Sequence, residues 1–365
     1  MKVLFRADAS LAIGTGHIMR CLTLARHLST RGSSATFICR EHPGNLISFL
    51  RTSGFPVQSL PVTGHVDANG PSHAAWLGGY GTEDAAAISA LPESKADWIV
   101  VDHYGLDRRF ERAMADAGMR VAVIDDLADR PHQCSLLLDQ TFGRLALAYE
   151  ARVPKSTRLL LGSRYALLRP EFAAAADDSL QRRRNDPTIR HIMVTLGGVD
   201  LDNVTQRVLD ALDALPLPPG CTIHVVMGAT APWFDAVSER ARNMRHTTSV
   251  LRAVSNMAGL MSDMDLAIGA AGSTAWERCC LGLPSLMVVL AKNQEVIAQN
   301  LGKSGAAISL GHHYDGDFVS RLGQGVLDLL DSPDRLRAMS EAAAKVTDGL
   351  GAARMAQAMM ELAAA

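Results

Sequence analysis

The feature that most constrains the fold of this chain is an alternation of short apolar runs with longer helical stretches. The first series of apolar runs is "KVLF", "ATFIC", "WIVVD", "VAVIDD" and "LLLD". Each run is apolar throughout and ends in polar residues, which is typical of strands buried in a parallel sheet. Helical patterns fill the gaps, at residues 17–30, 44–52, 83–91 and 107–117. The sequence therefore predicts repeated βαβ units.

A second series of the same kind follows a polar helical stretch and "NDP". Its strands are predicted within "IRHIMVTLGG", "TIHVVMG", "DLAIGAAG" and "SLMVVL", and its helices at 203–212, 273–280, 294–303 and 318–330. The tail predicts two more helices, separated by "DGLG". We interpret the chain as α/β, with two Rossmann-like domains facing a cleft, because ligands of such sheets bind outside the carboxyl ends of the strands.

The expected boundaries follow from the change of pattern between the two series. They are an N-terminal domain at 1–165, a connection at 166–187, a C-terminal domain at 188–347 and a terminal helix at 348–365.

Charge and composition limit the kinds of molecule that this chain is expected to bind. The chain carries 36 basic and 38 acidic side chains, a net charge of −2, whereas nucleic acids and membrane surfaces attract a basic excess. It has neither a signal peptide pattern nor an apolar run of about 18 residues, so no membrane insertion is expected. The six cysteines lack zinc-site spacing, which favours a reduced, cytoplasmic setting. Protein partners stay open.

The stretch "GTGHIMR" places a histidine at the start of the first helix. Gly14 and Gly16 let the backbone turn tightly and approach a ligand, but Met19 replaces the third glycine of a dinucleotide fingerprint. His17 would lie at the positive end of the helix dipole, which favours a neutral ring. A neutral imidazole suits a general base or an electrophile. The alternative is a histidine that only caps or packs.

Polar residues also follow two strands of the first series. Arg6 and Asp8 end the first strand, where they would bind substrate, orient His17 or form a structural ion pair. Asp102 and Tyr104 end the strand "WIVVD", and the Tyr104 hydroxyl could hydrogen-bond a sugar. The alternative for this pair is polar strand ends that face solvent.

Two loops of the second series fit a phosphate group. Gly197 and Gly198 can expose backbone N–H groups in "LGGVD". In "AIGAAGSTAWE", Gly272, Ser273 and Thr274 form a small-residue loop at a helix start, suited to a diphosphate. A neutral capping loop would show a similar pattern.

Further polar residues of the second series fit a nucleotide sugar. Glu277 lies one turn after the small-residue loop and can accept hydrogen bonds from ribose hydroxyls. Asn293 and Gln294 offer amide donors and acceptors for sugar groups, although Asn293 could instead be an N-cap. No Walker lysine, HExxH, GxSxG or metal-binding acidic pair of the sugar-nucleotide kind occurs, so no metal and no cofactor are expected.

Together these motifs resemble the UDP-2,4-diacetamido-2,4,6-trideoxy-β-L-altropyranose hydrolases of pseudaminic acid biosynthesis. The resemblance lies in "FRADAS", "IGTGHIMRCLTLA", "VDHYGLD", "VIDDLADRPHQC", "YALLRPEF", "VTLGGVD", "IGAAGSTAWERCCLGLPSLMVV" and "LAKNQ". It implies a glycosyltransferase B fold, a UDP-sugar as the small-molecule substrate, release of the free sugar and no metal.

The resemblance also implies roles for individual residues. His17 corresponds to the proposed base, Tyr104 to an active-site tyrosine and Asn293 to the asparagine of the "NQ" motif. The loop from Gly272 to Glu277 corresponds to the nucleotide-binding segment. Residues 62–79 and the alanine-rich tail receive no role.

Two other functions fit the same pattern. A glycosyltransferase would use the same nucleotide site with a sugar or lipid acceptor in place of water. A binding module without chemistry would keep the nucleotide site alone. Release of free sugar without an acceptor separates the hydrolase from both.

Overall fold

The computed structural model describes residues 1–91 and 95–364, which form two compact units. The first unit comprises residues 1–167 and 350–365, and the second comprises residues 168–349. Each unit is built on one sheet whose named strands all pair in parallel. Within the described residues, no helix combines the length and the apolar character that a membrane crossing needs.

The first unit has a seven-stranded sheet. Its strands are β1 (Lys2–Ala7), β2 (Ser34–Arg40), β3 (Val57–Leu60), β4 (Trp98–Asp102), β5 (Arg120–Ile124), β6 (Leu136–Asp139) and β7 (Arg158–Leu161). Its first helices are α1 (Gly16–Ser29), α2 (Ile47–Thr52), α3 (Gly81–Ser89) and α4 (Arg108–Asp116). The strands lie in the order β3-β2-β1-β4-β5-β6-β7. From β1 the chain builds the sheet outward to one side as far as β3, and then continues on the other side of β1 with β4. Ligands of open α/β sheets bind at such a switch point.

The second unit has a six-stranded sheet. It contains α5 (Pro170–Asn185), β8 (His191–Thr195), α6 (Val204–Ala214), β9 (Thr222–Met227), α7 (Phe234–Arg242), β10 (Thr247–Arg252), α8 (Met257–Asp263), β11 (Leu266–Ala270), α9 (Thr274–Cys280), β12 (Ser285–Val289), α10 (Glu295–Lys303), β13 (Ile308–His312), α11 (Phe318–Leu330) and α12 (Pro333–Ala344). The order β10-β9-β8-β11-β12-β13 places its switch point between β8 and β11.

The last helix, α13 (Gly351–Ala364), returns to the first unit. Met355, Ala356 and Met359 are fully buried in the hydrophobic core that also contains β1 and α1 side chains. The alanine-rich tail, to which the sequence assigned no role, is therefore part of that core.

The stretch expected to connect the domains is α5 of the second unit. Pro170 is its first residue, a position that suits proline because the amide there needs no partner. Arg183 is buried and donates hydrogen bonds to the carbonyl oxygens of Leu281, Met261 and Met264. These bonds fix α5 to its own unit, and the chain passes between units next to Leu168 and Leu350.

Candidate active site

His17 and Asp102 meet at the switch point of the first sheet. Ala7 at the end of β1 lies opposite Asp102 at the end of β4. Gly14, with φ of +79°, makes the turn that lets α1 begin at Gly16. His17 Nδ1 then lies 2.6 Å from Asp102 Oδ1. In the neutral ring Nδ1–H donates to this carboxylate, which leaves Nε2 as the acceptor, the form that a general base needs.

Arg20, one turn along α1, holds Asp102 in place. Its Nε lies 2.6 Å from Asp102 Oδ2, its Nη2 lies 2.6 Å from Asp102 Oδ1, and its Nη1 pairs with Asp126. Burial raises the pKa of Asp102, but Arg20 and then His17 outweigh it and hold that pKa well below its usual range. Asp102 has no exposed surface, so it orients His17 and does not contact substrate.

Tyr104 packs against the His17 ring and is otherwise enclosed. The two rings meet edge to face with centroids 4.7 Å apart. The Tyr104 hydroxyl donates to Asp126 Oδ2 at 3.1 Å, and the residue is 5% exposed. Burial and then the Asp126 charge raise the pKa of Tyr104 well above its usual value, so the hydroxyl stays protonated. In this arrangement Tyr104 positions His17, and its hydroxyl is already engaged.

Arg6 and Asp8 form the structural ion pair that was one of their expected roles. Arg6 Nη1 lies 2.8 Å from Asp8 Oδ1, and Arg6 Nε donates to Asp84 Oδ2 at 2.8 Å. All three side chains are fully buried. The expectation that Arg6 and Asp8 bind substrate does not fit this geometry, because neither offers a surface to a ligand.

Two aromatic residues next to this site were not singled out in the sequence. His73 and Trp76 lie in the 62–79 stretch, and their rings lie 5.5 and 6.0 Å from the Tyr104 ring. Their segment lacks a helical or alternating pattern, so only the histidine and tryptophan themselves could have drawn attention to it.

In the second unit the buried Arg278 side chain donates hydrogen bonds to the loop before α9. The Arg278 side chain is 1% exposed, and its Nη2 donates to the Ala270 carbonyl at 2.8 Å. Its Nη1 donates to Thr274 Oγ1 at 3.2 Å, so one of the two expected hydroxyls is already engaged. Gly272 is half-buried and Ser273 is exposed. Thr274 accepts in the bond from Arg278 and keeps its own O–H, so the donors of this loop are its backbone N–H groups and the hydroxyls of Ser273 and Thr274.

Glu277 and Arg169 lie beside each other near that loop. Arg169 Nη2 is 3.9 Å from Glu277 Oε1, and Arg169 Nη1 donates to the Ser255 carbonyl at 3.2 Å. Burial raises the pKa of Glu277 to about 7, although Arg169 and Arg278 act in the opposite direction. Arg169 was not named from the sequence, although "YALLRPEF" contains it and Pro170 marks a helix start directly after it.

Gln294 and Asn293 lie on a short turn after β12. Gln294 Oε1 accepts from the Leu290 N–H at 3.0 Å, and a Cβ on Gly272 would lie 3.7 Å from Gln294 Nε2. Gln294 thus lies beside the loop before α9. Asn293 is exposed.

The two expected glycine turns differ in the helix that follows. Among the described residues no side chain caps the N-terminus of α1. After Gly197 and Gly198, the Asp200 carboxylate accepts from the N–H groups of Val204 and Thr205, both at 2.9 Å. The carboxylate therefore occupies two donors of α6, whereas a phosphate contact of the Gly197 and Gly198 N–H groups stays a prediction.

Within residues 1–91 and 95–364, no three His, Cys, Asp or Glu side chains group in a way that would hold a metal ion. At the switch point, Asp102 and Arg20 hold His17 by one ring nitrogen, an arrangement that can support proton transfer.

Comparison with known proteins finds one family model and several curated relatives that resemble this chain. Residues 191–355 match the family model of the glycosyltransferase family 28 C-terminal domain. The chain is 27% identical over 306 residues to the UDP-2,4-diacetamido-2,4,6-trideoxy-β-L-altropyranose hydrolase of Campylobacter jejuni, covering 84% of this chain and 97% of that protein. It is also 27% identical over 316 residues to the UDP-N-acetylglucosamine–N-acetylmuramyl-(pentapeptide) pyrophosphoryl-undecaprenol N-acetylglucosamine transferase of Salinibacter ruber, covering 83% and 74%.

Among solved structures, MurG of Acinetobacter baumannii superposes with a TM-score of 0.70 at 16% identity, covering 99% of both chains. The expected fold class is confirmed: the chain consists of two parallel-sheet α/β domains and has the glycosyltransferase B type of fold.

Proposed function

We propose that this chain, which has the glycosyltransferase B fold and resembles the Campylobacter hydrolase over most of its length, is a nucleotide-sugar hydrolase. Its substrate would be UDP-2,4-diacetamido-2,4,6-trideoxy-β-L-altropyranose, and its products UDP and the free sugar. The observation that carries the proposal is the contact between His17 and the buried, Arg20-bound Asp102. This contact fixes the imidazole with Nε2 free to take a proton.

The proposed reaction is a single displacement at the anomeric carbon. His17 Nε2 takes a proton from water while the water oxygen forms a bond to the anomeric carbon. The bond from that carbon to the phosphate oxygen breaks, and UDP leaves with the electron pair. Attack opposite the leaving group inverts the anomeric configuration. A positioned base of this kind contributes a factor of roughly 10² to 10⁴ in rate.

The second unit supplies the residues that would hold UDP. The loop at Gly272 and Ser273 offers backbone and hydroxyl donors to the diphosphate, and Glu277 accepts from the ribose hydroxyls. Such donors stabilise the charge that develops on the leaving group, so the reaction would proceed without a metal. Asn293 and Gln294 would contact the sugar, as the resemblance implies.

A glycosyltransferase is the second candidate, because the matched C-terminal domain and the Salinibacter relative belong to transferases. The nucleotide site would be the same, with an acceptor hydroxyl in place of water. Assays with and without sugar and lipid acceptors separate the two. A glycoside product instead of free sugar would exclude the hydrolase.

The hydrolase is tested by measuring UDP release for the wild type and His17→Ala. We expect turnover to fall by roughly 10² to 10⁴ while the Kd for UDP stays within about threefold, because the base acts only on water. His27→Ala, which removes another histidine of α1, is the matched control and should retain wild-type turnover. Full activity in His17→Ala would show that the base has been assigned wrongly.

A further inference from the structure

The segment from residue 62 to residue 79 is fixed to the first unit along its length. Asp67 Oδ2 pairs with Arg109 Nη2 at 2.8 Å, and the Ser72 hydroxyl donates to Asp129 Oδ2 at 3.2 Å. A short 3₁₀ turn, Ala74–Trp76, lies in this segment and precedes α3 in the chain. These contacts give the segment a defined position next to the carboxyl ends of β4 and β5.

In that position the rings of His73 and Trp76 lie next to the Tyr104 ring. The ring centroids of His73 and Trp76 lie 4.7 Å apart, and those of Trp76 and Tyr104 lie 6.0 Å apart with planes 31° from parallel. Tyr104 in turn contacts His17 at 4.7 Å. A Cβ at Gly105 would lie 3.0 Å from the His73 carbonyl oxygen, so a glycine after Tyr104 allows the segment to come this near.

His17, Tyr104, His73 and Trp76 form an aromatic cluster whose members differ in solvent exposure. Tyr104 is 5% exposed and His17 is 8% exposed, whereas His73 and Trp76 are partly exposed. The accessible rings of the cluster are thus those of the 62–79 segment. Tyr104 contacts His17 on one side and the rings of His73 and Trp76 on the other, so the accessible rings lie one side chain away from His17.

We propose that Trp76 is a specificity-determining residue whose indole ring packs against the apolar face and methyl substituents of the sugar. The inference rests on the proposed hydrolase function. An aromatic ring gains most from C–H and methyl groups, and the proposed sugar carries methyl groups at C6 and on both acetamido substituents. Trp76 would favour this sugar over a fully hydroxylated one, while UDP would bind without it.

The kinetic test compares Trp76→Ala, Trp76→Phe and Tyr80→Ala. We expect Trp76→Ala to raise KM by about 10- to 100-fold, the range for lost apolar contacts, with the Kd for UDP unchanged. Trp76→Phe keeps a ring and should recover most of the loss. Tyr80→Ala removes an exposed ring that borders the same segment but stacks on His65, so it should resemble the wild type. A loss in Tyr80→Ala equal to that in Trp76→Ala would indicate a structural role and overturn the inference.

A binding test separates this inference from the hydrolase proposal. The Trp76 indole N–H signal is assigned in ¹⁵N-labelled protein by its absence from Trp76→Phe. Free 2,4-diacetamido-2,4,6-trideoxy-altrose should shift this signal, and UDP alone should not. A shift in a wild type that releases no UDP would reject the hydrolase and keep Trp76 as a sugar contact. No shift with the sugar overturns the inference, whatever the hydrolysis assay gives.

Discussion

Burial decides which side-chain atoms of the candidate site residues are accessible to a ligand. Arg6, Asp8 and Asp102 carry charges but have no exposed surface, so their charges act on neighbouring groups of the protein. His17 keeps a small exposed fraction and has one ring nitrogen fixed by Asp102. The sequence could show which of these residues end strands and that His17 begins a helix, but not which of them would reach a ligand.

The raised pKa of Glu277 predicts that nucleotide affinity depends on pH. Burial raises its pKa to about 7, so its carboxylate fraction increases between about pH 6 and pH 8. Because the ionised form accepts ribose hydrogen bonds better, uridine should bind about tenfold more tightly at the upper end of this range. Titration calorimetry with uridine avoids the phosphate group, which titrates at a pKa of about 6.

The control for this prediction is Glu277→Gln. It cannot ionise, so its affinity for uridine should be nearly independent of pH. An equally steep dependence in Glu277→Gln would assign the effect to another group.

Helices and strands differ in how clearly the sequence reveals them. The central strands β1, β4, β8 and β11 are buried and continuously apolar, and all four were predicted. All four edge strands, β3, β7, β10 and β13, were missed. The segments "VQSL", "TTSVLR" and "ISLGH" are partly exposed and lack an apolar run, and the short "RLLL" of β7 lies where the pattern changes between the two series. The contact of Trp76 with Tyr104 was also missed, since a segment without periodicity gives no direction for its side chains.

The pairing of His17 with Asp102 could have been inferred from the fold, because neighbouring carboxyl ends bring the two residues together. The hydrogen bonds from Arg20 to Asp102 could not have been inferred, because the sequence gives no reason to select Arg20 among the basic residues of the chain. Side-chain partners of this kind depend on packing that only the folded unit defines.

The packing of α13 on the first unit predicts a strong effect of Gly351→Ala. A Cβ at this helical position would lie 2.2 Å from the Ala166 carbonyl oxygen, which is backbone and cannot move aside. We expect the variant to lose about 1–3 kcal/mol of stability, measured by urea unfolding of the full chain.

Gly302→Ala is the matched control, because Gly302 is also helical but its Cβ would lie 3.9 Å from the nearest atom, Ser309 Cβ. This variant should gain about 0.5–1 kcal/mol from the better helix propensity of alanine. Equal stability of the two variants would mean that α13 does not pack as described.

The ion pair between α4 and the loop after β5 predicts a loss of stability in alkali. His132 Nδ1 lies 2.7 Å from Glu111 Oε1, and His132 Nε2 lies 3.6 Å from Asp125 Oδ2. Burial lowers the pKa of His132, but Asp125 and Glu111 outweigh it and raise that pKa to about 9. The folded pKa thus exceeds the unfolded value of about 6.5. The stabilisation is complete below the unfolded value and is lost as the pH rises through about 9.

Thermal unfolding of the wild type and His132→Gln between about pH 6.5 and pH 9.5 tests this sign. The Tm of the wild type should fall across the range, while His132→Gln should start lower and vary less. A parallel decline in both proteins would assign the pH dependence to other groups.

At the scale of the whole molecule, each unit carries a candidate site at the carboxyl ends of its own parallel strands. The first unit holds His17 against Asp102, and in the second unit Arg278 donates a hydrogen bond to the loop that leads to Glu277. The double βαβ pattern predicted this architecture, because two sheets with ligand-binding carboxyl ends follow from two series of buried strands. The assignment of α5 and α13 to units depended on side-chain packing and was not predicted.

The most direct test of the proposed hydrolysis is proton NMR of the protein mixed with the UDP-linked 2,4-diacetamido-trideoxy-altrose, in chelator and without acceptor. The wild type should release UDP and free sugar, with the inverted anomer appearing first, and His17→Ala should be slower by roughly 10² to 10⁴. Intact substrate in the wild-type sample, or release at the same rate in His17→Ala, would contradict a metal-independent hydrolase that uses His17 as its base.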